Sequence, residues 1–134
     1  MRFLIFLLIG SFLVGCNKEN CNSNDLKFNS SFEIANGQIL HNNAVNVSIY
    51  FDSVLEDGRC PIGSNCLWEG NAKVSFNFIS NHKVSNLELN THNQFQTDTI
   101  VNGYKIELIS LSPYPTTNVK IAQNEYRATI IISK

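Results

Sequence analysis

The sequence predicts an all-β fold, an antiparallel, immunoglobulin-like β-sandwich of about seven strands, with a barrel as the alternative. Three observations predict it. From Leu26 onward, apolar residues recur with a period of two rather than 3.6. Turn formers separate the alternating runs. No stretch of ten or more residues carries the apolar stripe of an amphipathic helix.

The elements follow in order. "FEIA" and "QIL" flank Asn36-Gly37. Val45, Val47, Ile49 and Phe51 alternate with polar neighbours, as do Ala72, Val74, Phe76 and Phe78. Leu87 and Leu89 alternate with Glu88 and Asn90, and Asn81-His82 divides this run from the one before it. Asn102-Gly103 lies between "DTIV" and "YKIELI". That dipeptide is the strongest short hairpin signal, because a type I′ turn needs positive φ at both central residues; Asn36-Gly37 reads in the same way. Tyr104, Ile106 and Leu108 alternate, then the apolar phase slips at Leu108-Ile109, which predicts a bulge or a strand buried on both faces. "SPYPTTN", 112–118, contains two prolines and reads as a connection. Tyr126, Ala128, Ile130 and Ile132 mark the last strand.

The amino-terminal segment predicts an address. Met1-Arg2 precedes an apolar run, Phe3 to Val14, that is too short to cross a bilayer as a helix and has the form of a secretory signal. Leu13-Val14-Gly15-Cys16 resembles the lipobox of bacterial lipoproteins. The resemblance implies cleavage after Gly15, lipidation of the Cys16 sulfur and acylation of the new amino terminus. Several acyl chains hold a protein firmly, since each buried CH₂ contributes about 0.8 kcal/mol. Three segments result: a signal peptide at 1–15, a lipidated tether at 16–25 and one β domain at 26–134. Residues 17–25 are polar and aperiodic, and a coil of that length reaches roughly 17 Å on average. Asn17 stands where aspartate often signals inner-membrane retention, which favours the outer membrane. Lys18-Glu19 partly resembles the export signal of surface lipoproteins in Bacteroidetes.

The charge is nearly balanced, with 10 Lys+Arg against 11 Asp+Glu. Losing Arg2 with the signal tips the remainder slightly acidic. No basic patch argues for a nucleic-acid partner.

The densest chemistry is "RCPIGSNCLWEG", 59–70. Three readings compete. A structural zinc needs about four ligands, usually in paired short spacings, whereas Cys60 and Cys66 form one C-x₅-C, and His41, His82 and His92 sit on separate turns and strand ends as solvated residues. A redox pair needs C-x-x-C at a helix start. A disulfide clasp needs an oxidising compartment and a short, turn-rich loop, and Pro61, Gly63 and Asn65 supply the turn formers. The clasp is the expected state, with Trp68 able to cover the sulfurs. No metal or other cofactor is expected.

"LEDGRCPIGSNCLWEGNAKVSF" resembles a signature of small bacterial secreted proteins and lipoproteins, Asp-Ser-Arg-Cys-Pro followed by Cys-x-Trp-x-Gly. Asp57, Arg59, Cys60, Pro61, Cys66, Trp68 and Gly70 match it, and Gly58 replaces the serine. The resemblance implies an extracytoplasmic sandwich with one disulfide and transfers no activity.

Glu56, Asp57, Arg59 and Glu69 surround this loop. Paired carboxylates can do acid–base work or bind calcium, but the favoured reading is structural, with Asp57 pairing with Arg59 or capping loop N–H groups. Cys21 is left without a partner and suggests a free thiol or a tether-to-tether disulfide dimer. No nucleophile motif or phosphate loop is visible, so no enzyme is expected. The leading reading is an envelope interaction module anchored in the membrane through Cys16. Its candidate contact residues are Asp57, Arg59, Trp68 and Glu69, with Tyr114 on the second loop, and they would meet a protein partner. The alternatives are a periplasmic inhibitor of a lysozyme or protease, and a structural envelope component.

Overall fold

The computed structural model describes residues 24–134. The signal segment, Cys16 and Cys21 lie outside the described residues, as does most of the tether. Eight strands form two four-stranded antiparallel sheets. They are β1 (Ser31–Ala35), β2 (Ile39–Asn42), β3 (Val47–Asp57), β4 (Ala72–Ser80), β5 (Lys83–Asn90), β6 (Asp98–Val101), β7 (Tyr104–Ser112) and β8 (Arg127–Ser133). One sheet has the order β1-β8-β7-β6 and the other β2-β3-β4-β5. The sheets pack as a sandwich and do not close into a barrel. Each sheet is a meander, with β1 completing the first beside β8, so the strands divide between sheets differently from the ABED/CFG split of immunoglobulin constant domains.

The period-two pattern decides which faces meet. Val47, Ile49 and Phe51 of β3, Ala72, Val74, Phe76 and Phe78 of β4, and Leu87 and Leu89 of β5 are all buried. From the other sheet come Ile34, Tyr104, Ile106, Leu108, Ala128, Ile130 and Ile132. Phe51 and Phe76 meet with ring centroids 5.2 Å apart, and Phe78 meets Tyr104 across the sheets at 5.5 Å. Each fully buried phenylalanine contributes roughly 1.5–3 kcal/mol relative to exposure.

Local turn chemistry explains the tight hairpins. Asn102 and Gly103 both have positive φ, as a type I′ turn requires, and so do Asn81 and His82. The phase slip in β7 is a bulge: the register with β8 jumps between Leu108 and Ser110, after which Leu111 rather than Ile109 is buried.

Three expectations are corrected. Asn36-Gly37 is a turn but not a hairpin, since it carries the chain from β1 in one sheet to β2 in the other. Only Gly37 has positive φ, and Gln38 N–H donates to the Ala35 carbonyl at 2.9 Å, the type II pattern. Val45 precedes its strand and is exposed. β3 runs on to Asp57, past two register shifts at Phe51/Ser53 and Val54/Glu56 that hide its continuation from the alternation rule.

The sandwich therefore has two ends. Leu26 N–H donates to the His41 carbonyl and His41 N–H to the Asn24 carbonyl, which fixes the start of the described chain beside β2. The turn at 102 is tied to the end of β4 by Asn102 Nδ2 donating to Ser80 Oγ at 2.6 Å. β3 and β7 both run from this end to the opposite one, where they deliver the loops at 58–71 and 113–118.

Candidate functional site

The segment 58–71 extends the β3–β4 ladder as a narrow ribbon. Gly58 N–H donates to the Asn71 carbonyl and Cys60 N–H to the Glu69 carbonyl, both at 2.8 Å. The ribbon is narrow because Gly70 has no side chain. A Cβ there would lie 2.1 Å from the Gly58 carbonyl oxygen and 2.7 Å from Arg59 Cα, and Gly70 has φ +78°. At Gly58, by contrast, a Cβ would sit 3.4 Å from the nearest atom, the Asn71 carbonyl oxygen, so the serine of the resembled signature fits this backbone.

The tip is closed by the Cys60–Cys66 disulfide. The two sulfurs are joined, so neither is a thiolate free to bind a metal. Among the described residues no group of three or more His, Cys, Asp or Glu side chains is placed to hold one.

Asp57 and Arg59 turn inward. Arg59 is 6 % exposed. Its Nε donates to Asp57 Oδ1 at 2.8 Å and its Nη2 to Asp57 Oδ2 at 2.6 Å, a bidentate pair. Nη1 donates to the Leu111 carbonyl at 2.6 Å and Nη2 to the Pro113 carbonyl at 3.0 Å. The Tyr126 hydroxyl donates to Asp57 Oδ2 at 3.0 Å, and Tyr114 lies over the guanidinium at 4.8 Å. Burial pushes the Asp57 carboxyl up, but the Arg59 hydrogen bonds and charge and the Tyr126 hydroxyl together hold it below its ordinary value. Burial and the Asp57 carboxylate push the Tyr126 hydroxyl up to about 12. The two residues thus bolt the clasp ribbon to the end of β7. Asp57 pairs with Arg59, as the structural reading of the two expects, with side chains 11 % and 5 % exposed.

The two loops singled out from the sequence are one body. Ile62 N–H donates to the Pro115 carbonyl at 2.9 Å, and Thr117 N–H to the Ile62 carbonyl at 3.3 Å. Ser64 Oγ meets Thr117 Oγ1 at 3.1 Å.

Trp68, Glu69 and Tyr114 do reach the surface. Trp68 is 52 % exposed. It is directed at the 91–97 connection, with its ring 5.5 Å from His92 and 6.5 Å from Phe95. Glu69 Oε1 lies 2.7 Å from His92 Nε2. Gln94 N–H donates to His92 Nδ1 at 3.2 Å, and the Nε2 edge of the ring faces Glu69. His92 is therefore a partnered, largely buried side chain rather than a solvated one. His41, too, is partnered, with the Ser48 hydroxyl across the β2–β3 ladder. Asn71 braces the 91–97 connection. Its Nδ2 donates to Asn90 Oδ1 at 2.9 Å, and its Oδ1 accepts His92 N–H at 3.1 Å.

Sequence reasoning missed His92, Phe95, Tyr126 and Leu67. The first three join the ribbon through contacts between residues far apart in the chain. Leu67 was legible as an apolar residue between turn formers and a tryptophan; it is fully exposed. Two clefts flank the ribbon. One of about 380 Å³ lies between Glu69, His92 and Tyr114, and one of about 530 Å³ between Asp57, Trp68 and Phe95.

Comparison with protein-family models, with curated proteins and with solved structures yields no match.

Proposed function

We propose that this chain is a lipid-anchored binding module of the bacterial cell envelope, held through Cys16, and that its clasped end is the binding surface. One observation carries the reading: large apolar side chains are displayed at an end of the sandwich whose main loop is held by a disulfide, a backbone ladder and a buried ion pair. Ile62, Leu67, Trp68 and Phe95 are exposed. The disulfide, the ribbon ladder and the buried Asp57–Arg59 pair hold the loop that carries the first three. Contiguous exposed apolar groups mark interaction sites, aromatic residues are enriched in interface cores, and a preformed loop loses little conformational entropy on binding.

The test is site-specific photo-crosslinking in intact cells. A crosslinking residue at position 67 is compared with one at Val84, which is also exposed but is the second residue of β5, at the other end. The reading requires a discrete adduct from position 67 and none from 84. Equal labelling from both positions would remove the clasped end as the binding surface. If the partner proves to be a hydrolase whose activity falls on binding, the module is an inhibitor.

A further inference from the structure

The two ends of the sandwich differ in charge as well as in shape. At the end where the described chain begins, Lys27, Lys83 and Lys134 are exposed, accompanied by Asp25. At the clasped end, segment 56–70 exposes Glu56 and Glu69, the latter beside His92, because Arg59 is buried against Asp57; Lys120, just past the Thr117 that the ribbon holds, is the exposed cation there. Within β3, Ser48 pairs with His41 beside the chain start, and Asp57 opens the clasp. Nine residues of strand separate them, roughly 30 Å at about 3.3 Å per residue.

The covalent chain limits what the anchor allows. Eight bonds between Cα atoms join Cys16 to Asn24, a span of at most about 28 Å even when fully extended. Asn24 is tied to the lysine-bearing end by its carbonyl, which accepts from His41 N–H at 3.0 Å. An anionic bilayer attracts lysines within a Debye length and repels carboxylates. Tether position and charge therefore act in the same sense.

We infer that the domain stands with its Lys27–Lys83–Lys134 end toward the bilayer and presents the Leu67–Trp68 tip about a strand length away from it, to a protein partner with an apolar pocket rimmed by basic side chains. The inference rests on the lipid-anchored reading above. The exposed apolar tip is then not a membrane-insertion device, although its composition alone would allow one. Leu67 and Trp68 fill the pocket, while Glu56 and Glu69 meet the basic rim and reject acidic surfaces.

Trp68 is the only tryptophan in the chain and serves as the reporter. Lipidated protein from its own membranes is reconstituted into vesicles of phosphatidylethanolamine and phosphatidylglycerol. The vesicles carry nitroxide-labelled lipids, and the protein is floated with them. The expected result is flotation, with Trp68 emission quenched by acrylamide in the water and unaffected by the lipid nitroxides. Flotation with quenching by the lipid nitroxides overturns the inference and makes the tip a membrane contact. Failure to float overturns the anchor reading itself, a distinguishable outcome.

The partner's chemistry is tested by photo-crosslinking from position 62 in cells carrying Glu69→Lys, with folding checked by near-ultraviolet circular dichroism. A protein adduct that falls about tenfold, equivalent to about 1.4 kcal/mol, supports a basic rim. A protein adduct that Glu69→Lys leaves unchanged overturns that chemistry. So does an adduct to lipid, to glycan or to a second copy, or no adduct from the unaltered chain.

Discussion

Replacing Asp57 with alanine tests whether the clasped end is bolted to the sandwich or merely lies on it. The change deletes both arms of the bidentate contact to Arg59 and the acceptor of the Tyr126 hydroxyl. It leaves a guanidinium whose side chain is 5 % exposed with the Leu111 and Pro113 carbonyls and the face of Tyr114 as partners, and no negative charge. Removing one partner of a buried ion pair costs roughly 3–5 kcal/mol, because the other charge stays buried and uncompensated. Domains of this size are stable by about 5–15 kcal/mol in all. Asp57→Ala should therefore remove a large share of the stability and lower Tm by on the order of 10 °C or more.

The assay is urea unfolding at neutral pH, followed by far-ultraviolet circular dichroism with the disulfide intact. Adding Arg59→Met to the same chain should recover part of the loss, so that the double variant is less destabilised than the sum of the singles. pH supplies an independent check. The folded Asp57 carboxyl titrates below its ordinary value. Its contribution is then fully present above the unfolded value near 3.8, and is lost as pH falls through the folded value. Asp57→Asn should flatten that acid limb. A cost for Asp57→Ala below about 1 kcal/mol, the range of an exposed pair, would refute the reasoning.

Other outcomes follow from the same geometry. Gly70→Ala drives a methyl into the Gly58 carbonyl at a positive φ and should cost more than about 3 kcal/mol. Gly58→Ala should change stability by no more than about 1 kcal/mol, and in the stabilising direction; chemical denaturation of the two variants side by side checks both. Replacing Cys60 and Cys66 together by serine should cost roughly 2–2.5 kcal/mol through the entropy of the opened loop. Hydrogen exchange should then quicken at Ile62 and Thr117 while β4 and β8 stay protected. Spectrophotometric titration should show Tyr126 ionising near pH 12, and Tyr126→Phe should remove that step. The folded hydroxyl titrates above its unfolded value near 10. Its contribution is therefore present below that value and fades as pH rises toward 12.

The strands were legible in the sequence because each has one buried and one wet face, a rule that acts residue by residue. Ala128, Ile130 and Ile132 could be assigned inward without any knowledge of their neighbours, and the slip at Leu108-Ile109 announced its own bulge. The pairing of elements was not legible. Asn36-Gly37 and Asn102-Gly103 look alike locally, yet one connects two sheets and the other closes a hairpin. The difference lies in what β1 and β2 find to pair with elsewhere. The site divides in the same way. Cys60, Cys66 and the Asp57–Arg59 pair are close in sequence and could be read together. The Leu111 and Pro113 carbonyls, Tyr126, His92 and Phe95 arrive from 24 to 69 residues away, and no local pattern marks them. The ring contacts of Trp68 were hidden for that reason: they are to His92 and Phe95, on a connection the motif does not contain.

The most direct test of the account is the intact mass of the native protein taken from its own membranes without reductant. An acylated chain beginning at Cys16, lighter by two hydrogens for the Cys60–Cys66 bond, is the predicted result. An unacylated chain would contradict the anchored module. Two further hydrogens on an otherwise intact chain would mean an open loop, and would contradict the rigid clasped end on which the binding surface depends.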